Sequence, residues 1–558
     1  MSSQGHRVLR TIFKGLVRAL RDPVWAFVWI LAAPFRVWKP VVAALVLSFV
    51  ILILLGLLSE WVEGQFHLIG LGGKPLRRVL DLIVVGVVLA VLWRLLVKPL
   101  LDHLDGDDGS VTHGSARFAE KREIAAVLKV SDGLLIGRDM HSGKLIRYGG
   151  PAHLLTLAPT RSGKGVGTVI PNLLVQFRSV VCVDPKGENA RITARARSAF
   201  GPVYILDPFG VTGMPSASFN PLAALDPDSP DIAEDAALLA DALVCDAPGT
   251  AGEAHWNEEA KALITGIILY IATEEFGHRR SLATLREYLT LDVPEFIALL
   301  SLMQETDACH GLIRRAANRH RSKADREAAG VLSSAQRHTH FLDSPRMTEV
   351  MNASDFAFGD LKHSVATVYL VLPPDRLDTY ARWLRLLVTQ SLTELVRARQ
   401  RLPSPVLYLL DEFASLGYLS FVERAMGLMA GYGVQLWPIL QDIHQLRALY
   451  GQRAGTFLSN AGVLQVFGVN DYETSRLVSD LLGQETVSFE ARNRNLDSDK
   501  TGLSYSEHHT GRPLLTPDEV RRMHPDTQLL FLNGQRPIVA TRLRYYADRE
   551  LRGLFDAG

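Results

Sequence analysis

The segment Ala158-Pro-Thr-Arg-Ser-Gly-Lys-Gly165 sets one lysine among small residues, between an apolar run (His153 to Leu157) and a stretch that reads as a helix through Leu174. A loop of this kind turns its backbone N–H groups around phosphate while the lysine neutralises the charge. Gly163 and Lys164 fit the G-x-x-x-x-G-K-[ST] pattern. Ala158 stands where the first glycine belongs, and Gly165 where a Ser/Thr hydroxyl would bind Mg²⁺. Taken alone, the loop fits an ordinary Gly-rich turn equally well.

A second segment supplies the missing half of such a site. Pro405-Val-Leu-Tyr-Leu-Leu-Asp-Glu-Phe413 reads as an apolar strand ending in Asp411 and Glu412. An acid at the carboxyl end of such a strand can hold a nucleotide's Mg²⁺, and the adjacent glutamate can polarise the attacking water. Gln441, in Trp437-Pro-Ile-Leu-Gln-Asp442, ends the next apolar run, where a glutamine can sense the γ-phosphate or orient water. Asp184-Pro-Lys-Gly-Glu188 falls at the same sheet edge and could line the site or the substrate path. Thr168 lies one helical turn too far along to replace the missing hydroxyl.

These residues must be carried by a sheet. Short apolar runs recur at Ser179–Val183, Val203–Leu206, Val365–Leu372, Val406–Leu410, Val434–Leu440, Val463–Val469 and Leu529–Leu532, separated by helical stretches. Strands of that length alternating with helices predict an α/β domain with a parallel sheet. Between residues 281 and 351 the pattern is helical only, at Leu282–Leu289, Pro294–Met303 and Lys323–Ser334.

The chain has 558 residues, enough for about three or four domains at roughly 150 residues each. With 47% hydrophobic residues, 22 Phe, 14 Tyr and 8 Trp, it is not a disordered chain. Cys182, Cys245 and Cys309 are widely spaced, which excludes a disulfide scaffold and a Cys-rich zinc site and suits a reducing cytoplasm.

The first 105 residues differ from the rest. Val41–Leu58 carries no charge and is about 27 Å long as a helix, close to the hydrocarbon thickness of a bilayer. Leu82–Val97 is a second predicted span, with Arg94 near its end able to snorkel. Before them, Leu9, Ile12, Phe13, Leu16, Val17 and Leu20 share one helical face and Arg7, Arg10, Lys14, Arg18 and Arg21 the other, as in a helix lying on an anionic leaflet. Val24–Phe35 reads as interfacial. Residues 1–40 hold seven Lys/Arg and one acid, so both termini are expected in the cytoplasm with a short hairpin loop outside. Beyond residue 105 the balance is 48 basic against 53 acidic, a formal −5. A broad DNA-coating surface would carry a basic excess, so any nucleic-acid contact must be local.

The ordered set of motifs resembles a known family, the TraG-like coupling proteins of type IV secretion systems. It runs from His113-Gly-Ser-Ala-Arg-Phe-Ala119 through the APTRSGKG loop, Val169-Ile-Pro-Asn-Leu173, Asp184-Pro-Lys-Gly-Glu-Asn189 and Phe219-Asn-Pro-Leu222. It continues through His255-Trp-Asn257, Tyr369-Leu-Val-Leu-Pro-Pro374, Asp411-Glu-Phe413 and Arg512-Pro-Leu-Leu-Thr516. The glycine after the P-loop lysine looks like this family's own variant.

The resemblance implies a RecA-like nucleotide-binding domain (106–280 and 352–558) interrupted by an all-α domain (281–351). A two-helix transmembrane anchor (1–105) would precede it, and the protein would form a homohexamer on the bacterial inner membrane. It implies that Thr160, Arg161, Ser162, Gly163, Lys164, Gly165 and Val166 cradle ATP and that Asp411 serves Mg²⁺ through water. Glu412 would position the nucleophilic water, with Gln441 beside it. A neighbouring subunit's arginine would complete the site, Arg512 and Arg191 being candidates. The implied cargo is a relaxase-linked single DNA strand, effector proteins or both, delivered to other secretion-system components. Two alternatives stay open: a nucleotide-binding docking adaptor without motor activity, and a membrane-tethered double-stranded-DNA translocase.

Overall fold

The computed structural model describes residues 49–58, 60–62, 64, 82–83, 85–88, 113–244, 254–400, 402–494 and 503–557. The chain divides into a unit of Met1–His113 and a unit of Gly114–Gly558. In the first, residues 49–58 are helical, and Phe49, Leu52, Leu54 and Leu57 are each more than half exposed. The basic helix expected at residues 7–21, the interfacial stretch at 24–35, residues 41–48 of the first predicted span and most of the second lie outside the described residues. Among the described residues, no helix is long and apolar enough to cross a membrane.

The second unit is built on one large sheet. Its strands are β1 (Leu134–Asp139), β2 (Leu145–Tyr148), β3 (His153–Leu157), β4 (Val180–Asp184), β5 (Val203–Leu206), β6 (Thr367–Val371), β7 (Val406–Leu410), β8 (Val434–Leu440), β9 (Ala461–Val466), β12 (Thr527–Leu532) and β13 (Ile538–Thr541). Their order is β2-β1-β13-β12-β9-β3-β8-β7-β4-β6-β5. From β9 to β5 every pairing is parallel. These strands are buried on both faces, which is why they read as unbroken apolar runs. Alternate residues still divide between two cores: Leu155, Val181 and Leu410 join one cluster, while Leu154, Cys182 and Leu409 join the other.

The parallel sheet expected from the sequence is extended by antiparallel strands at the other edge. β12 runs antiparallel to β9, and β13, β1 and β2 extend the sheet antiparallel from there. For β12 and β13 the reason is the short connection: Asn533–Pro537 is too brief for a crossover and folds the chain back. A separate two-stranded ribbon, β10 (Gln484–Arg494) with β11 (Leu503–Pro513), stands apart from this sheet.

Between β5 and β6 the described residues contain helices and no strand. Helices Ile232–Leu243 and Ala254–Glu274 precede residue 281; Leu282–Leu289, Val293–Glu305, Leu312–Arg321 and Asp325–Thr339 follow it. Ile264 and Ile268 of the long helix, Met303, Ile313 and Ala335 belong to the same apolar cluster as Leu155 and Leu410 of the sheet. The helical layer and the sheet therefore share one core.

The antiparallel edge is pinned to the helix after β3 by side-chain amides. Asn172 Oδ1 accepts from Leu135 N at 2.8 Å, and its Nδ2 donates to Leu135 O at 2.9 Å and Thr168 O at 2.8 Å. Gln176 Nε2 donates to Gly133 O at 2.8 Å. Asn172 is fully buried, so no water can replace it. Asn172→Ala is expected to destabilise the protein by about 2–4 kcal/mol, because it orphans buried backbone groups of β1. Urea denaturation checks this, and a loss under about 0.5 kcal/mol would mean the groups find other partners.

Candidate nucleotide site

Three parallel strand ends build the site: β3, β8 and β7, adjacent in that order. Neighbouring strands lie about 4.8 Å apart, so a group on β7 is about 10 Å from β3, within reach of a lysine side chain. β3 gives way to a loop whose first residue is tied to β8, Ala158 N donating to Leu440 O at 2.8 Å. Ser162 Oγ donates to Pro159 O at 2.5 Å. Arg161 (φ 64°) and Gly163 (φ 86°) are both left-handed, and these two residues turn the chain back over the strand end. A wide π turn, Gly165–Val169, follows and leads into helix Ile170–Val175. Thr160 and Arg161 are exposed; Ser162, Gly163, Lys164, Gly165 and Val166 are half-buried along the loop.

Lys164 reaches across to β7. Its Nζ lies 2.5 Å from Glu412 Oε1 and 3.2 Å from Asp411 Oδ1. The three side chains are only 13%, 27% and 14% exposed, so the contact is largely shielded from solvent. Burial pushes the Asp411 carboxyl up, and the Lys164 ammonium pulls it back.

Glu412 sits at φ 51°, ψ 45°, a left-handed conformation that costs a non-glycine residue about 1 kcal/mol. It is held there locally. Its N–H donates to Asp411 Oδ1 at 3.0 Å, and its carbonyl accepts from Ser415 N at 2.8 Å and Ser415 Oγ at 2.7 Å. The next residue, Phe413, is fully buried and stacks on Tyr450. From β8, Gln441 Nε2 donates to Glu412 Oε2 at 3.2 Å, while Gln441 N is fixed by Gln445 Oε1 at 2.9 Å. Lys164, Asp411, Glu412 and Gln441, expected from separate segments, therefore meet in one contact network.

Other expected residues stand elsewhere. Thr168 is fully buried and donates to Gln465 Oε1 at 3.2 Å, away from the loop. Asp184 is buried too. It accepts from Ala190 N at 2.8 Å at the start of helix Glu188–Ser198, and burial pushes its carboxyl up to about 6, with Asp411 adding to the shift. Its carboxylate caps that helix. Arg512 is paired with Glu519 at 2.5 Å, and Arg191 donates to Val211 O at 3.0 Å.

Two features were not anticipated from the sequence. Beneath the loop a polar chain crosses the sheet: Trp437 Nε1 donates to Thr156 Oγ1 at 2.8 Å, Thr156 to Gln465 Oε1 at 2.9 Å, and Gln465 Nε2 to Gln528 Oε1 at 2.7 Å. Polar residues inside apolar strands were the only signal for it. The second is Arg542, just after β13, which touches the P-loop at Gly163. No motif marks it.

The family described as "Type IV secretory system Conjugative DNA transfer" matches residues 108–554. The chain is 32% identical over 463 residues to the conjugal transfer protein TraG of Escherichia coli, covering 75% of this chain and 72% of that protein. It is 30% identical over 481 residues to VirD4 of Agrobacterium fabrum, covering 80% and 67%. Among solved structures it is similar to the bacterial conjugative coupling protein TrwB lacking its first segment, with a TM-score of 0.58 at 17% identity over 77% of this chain and 95% of that one. It is also similar to TrwB in complex with ADP and Mg²⁺, with a TM-score of 0.57 at 16% identity over 79% and 97%. The fold is thus the RecA-like α/β fold of that protein, and the chain belongs to the type IV secretory system conjugative DNA transfer family.

Proposed function

We propose that this protein is the coupling ATPase of a bacterial type IV secretion system, which recruits substrates and drives them to the secretion channel by ATP hydrolysis. The observation that carries the reading is the meeting of Lys164, Asp411, Glu412 and Gln441 at three adjacent strand ends. In a P-loop site the lysine holds the β/γ-phosphates, the strand-end acid serves the metal and a polarising group orients water. Lys164, Asp411 and Glu412 with Gln441 suit those roles in turn.

The donor set fits Mg²⁺ in a nucleotide-dependent way. Asp411 offers one carboxylate near the loop, and Gly165 offers no hydroxyl. Mg²⁺ needs few protein ligands when phosphates and water complete its octahedron. When bound it neutralises charge on the transferred phosphate. Thr160 to Val166 wrap the phosphates with backbone N–H groups, and Glu412 takes a proton from water held by Gln441.

The remaining assignments follow from the sequence and the family together. Residues 1–105 anchor the protein in the inner membrane through two spans, with the bulk of the chain in the cytoplasm. Residues 281–351 form an all-α domain that reads cargo, set into a nucleotide-binding domain of residues 106–280 and 352–558. Six copies form the ring. Cargo is relaxase-bound single-stranded DNA, effector proteins or both. The −5 charge beyond residue 105 suits local DNA contacts in a channel or a protein cargo.

ATP hydrolysis by the full-length protein in detergent tests the reading. Lys164→Ala is expected to lower kcat/KM at least about a hundredfold. Glu412→Gln should lower kcat by about 10²–10⁴-fold while ATP binds as tightly or tighter, because one of the two carboxylates competing for Lys164 is gone. Wild-type ATP binding without turnover would leave the docking adaptor instead. Stimulation by single-stranded DNA points to DNA cargo, indifference to DNA points to protein cargo, and a response to duplex DNA alone favours the double-stranded-DNA translocase. A Cβ at Gly165 would meet nothing within 4 Å, so Gly165→Ser should fold normally. Its hydroxyl is expected to lower the Mg²⁺ concentration that gives half-maximal activity.

A further inference from the structure

The P-loop has a second cationic neighbour, on the opposite flank from the acids. In the sheet order, β7 lies on one side of β3 and β13 on the other. Arg542 follows β13, and a Cβ placed on Gly163 would lie 3.0 Å from its Nη1. The backbone places it: Arg542 N donates to Asp526 O at 2.9 Å, and Tyr545 N to Val166 O at 3.4 Å. A Cβ on Gly167 would come within 2.8 Å of Leu543 O, so residues 542–545 lie against the first turn after the loop.

The side chain is poorly matched by protein partners. It is 15% exposed, and its Nε is buried with no hydrogen-bond partner. The nearest acid, Asp526, is 3.6 Å from Nη2 and is held more closely by Arg544. Phe467, directly after β9, lies under the guanidinium at 5.3 Å. A desolvated arginine with an orphaned donor is unfavourable unless an acceptor arrives. Planar guanidinium forks are suited to phosphate oxygens. Burial also lowers the Arg542 pKa, consistent with a charge not fully compensated by Asp526.

We propose that Arg542 is a nucleotide-phosphate ligand supplied in cis, gripping the phosphate chain from the β13 side of the P-loop while Lys164 grips it from the β7 side. The assignment rests on the loop being the nucleotide site. It also gives that site a fixed positive charge where Gly165 supplies no hydroxyl and Lys164 is shared with two acids. Gly163 lies mid-loop, where phosphates common to ATP and ADP sit, so both nucleotides should depend on Arg542.

The test is equilibrium binding of ATP and of ADP to the full-length protein in detergent, for the wild type, Arg542→Gln, Arg542→Lys and Lys164→Ala. Arg542→Gln is expected to raise both dissociation constants at least about tenfold, with Arg542→Lys intermediate. The nucleotide-free melting temperature should stay within about 2 °C of wild type, because Arg542 has little protein bonding to lose. Wild-type affinity in Arg542→Gln, alongside lost binding in Lys164→Ala, would overturn the role of Arg542 and leave the site intact. If Arg542→Gln melts early, Arg542→Lys decides, since it keeps the stem and charge without the fork; wild-type affinity there would overturn the proposal. Undiminished binding in Lys164→Ala would sink the nucleotide site itself, and this inference with it.

Discussion

The contact between Lys164 and the Asp411–Glu412 pair is the constraint around which the rest of the second unit is arranged. A shielded ammonium between two carboxylates is favourable only while the partners stay in register, because removing either side leaves a charge without compensation. On the proposed reading, phosphate displaces the acids from Lys164, and Mg²⁺ or water then solvates the freed carboxylates. In that reading the ion pair competes with phosphate for Lys164. The same Glu412 carboxylate also accepts from Gln441.

Such a contact needs a rigid base, and the sheet supplies it with polar groups as well as apolar ones. Trp437, Thr156, Gln465 and Gln528 link β8, β3, β9 and β12 side by side directly under the loop. Gln465 Nε2 and Gln528 Nε2 both also donate to Ile136 O in β1. Networks of this kind fix register when every member is satisfied. Here they join the parallel half of the sheet, which carries Lys164 and Glu412, to the antiparallel half, which carries Arg542. The strands that carry Lys164, Glu412 and Arg542 are therefore tied to one another.

What the sequence revealed, and what it hid, follows from the same physics. β3, β4, β6, β7 and β8 are buried on both faces, so each is an apolar run visible without any partner. β2, at the sheet's edge, carries Arg147, and β1 beside it carries Gly137 and Arg138, which break up its apolar run. β10 alternates Val487, Phe489 and Ala491 with Ser488, Glu490 and Arg492, a quieter strand signal than the unbroken apolar runs. In the site, Lys164 and Asp411-Glu412 were legible because their chemistry depends on local spacing. Arg542 was not, since its value comes from a pairing between β12 and β13 that only the fold creates. The backbone of Glu412 was equally hidden: nothing in the residue type foretells a positive φ.

The turn after Glu412 is also where the site meets the helical layer. Arg385, buried in helix Leu377–Arg397, donates to Tyr418 O at 2.6 Å and Leu416 O at 3.3 Å, the carbonyls that end this turn. One turn earlier on the same helix, Arg382 approaches His338 Nδ1 at 3.5 Å, and His338 Nε2 contacts Asn257 at 2.9 Å. Asn257 lies on the long helix Ala254–Glu274, and His338 on Asp325–Thr339. A packed interior deforms little, so movement of Glu412 has few ways to relax within its own turn. Phe413 cannot shift without disturbing Tyr450, and the carbonyls of Leu416 and Tyr418 cannot shift without moving Arg385. One helix therefore holds the turn after Glu412 through Arg385 and reaches the helical layer through Arg382.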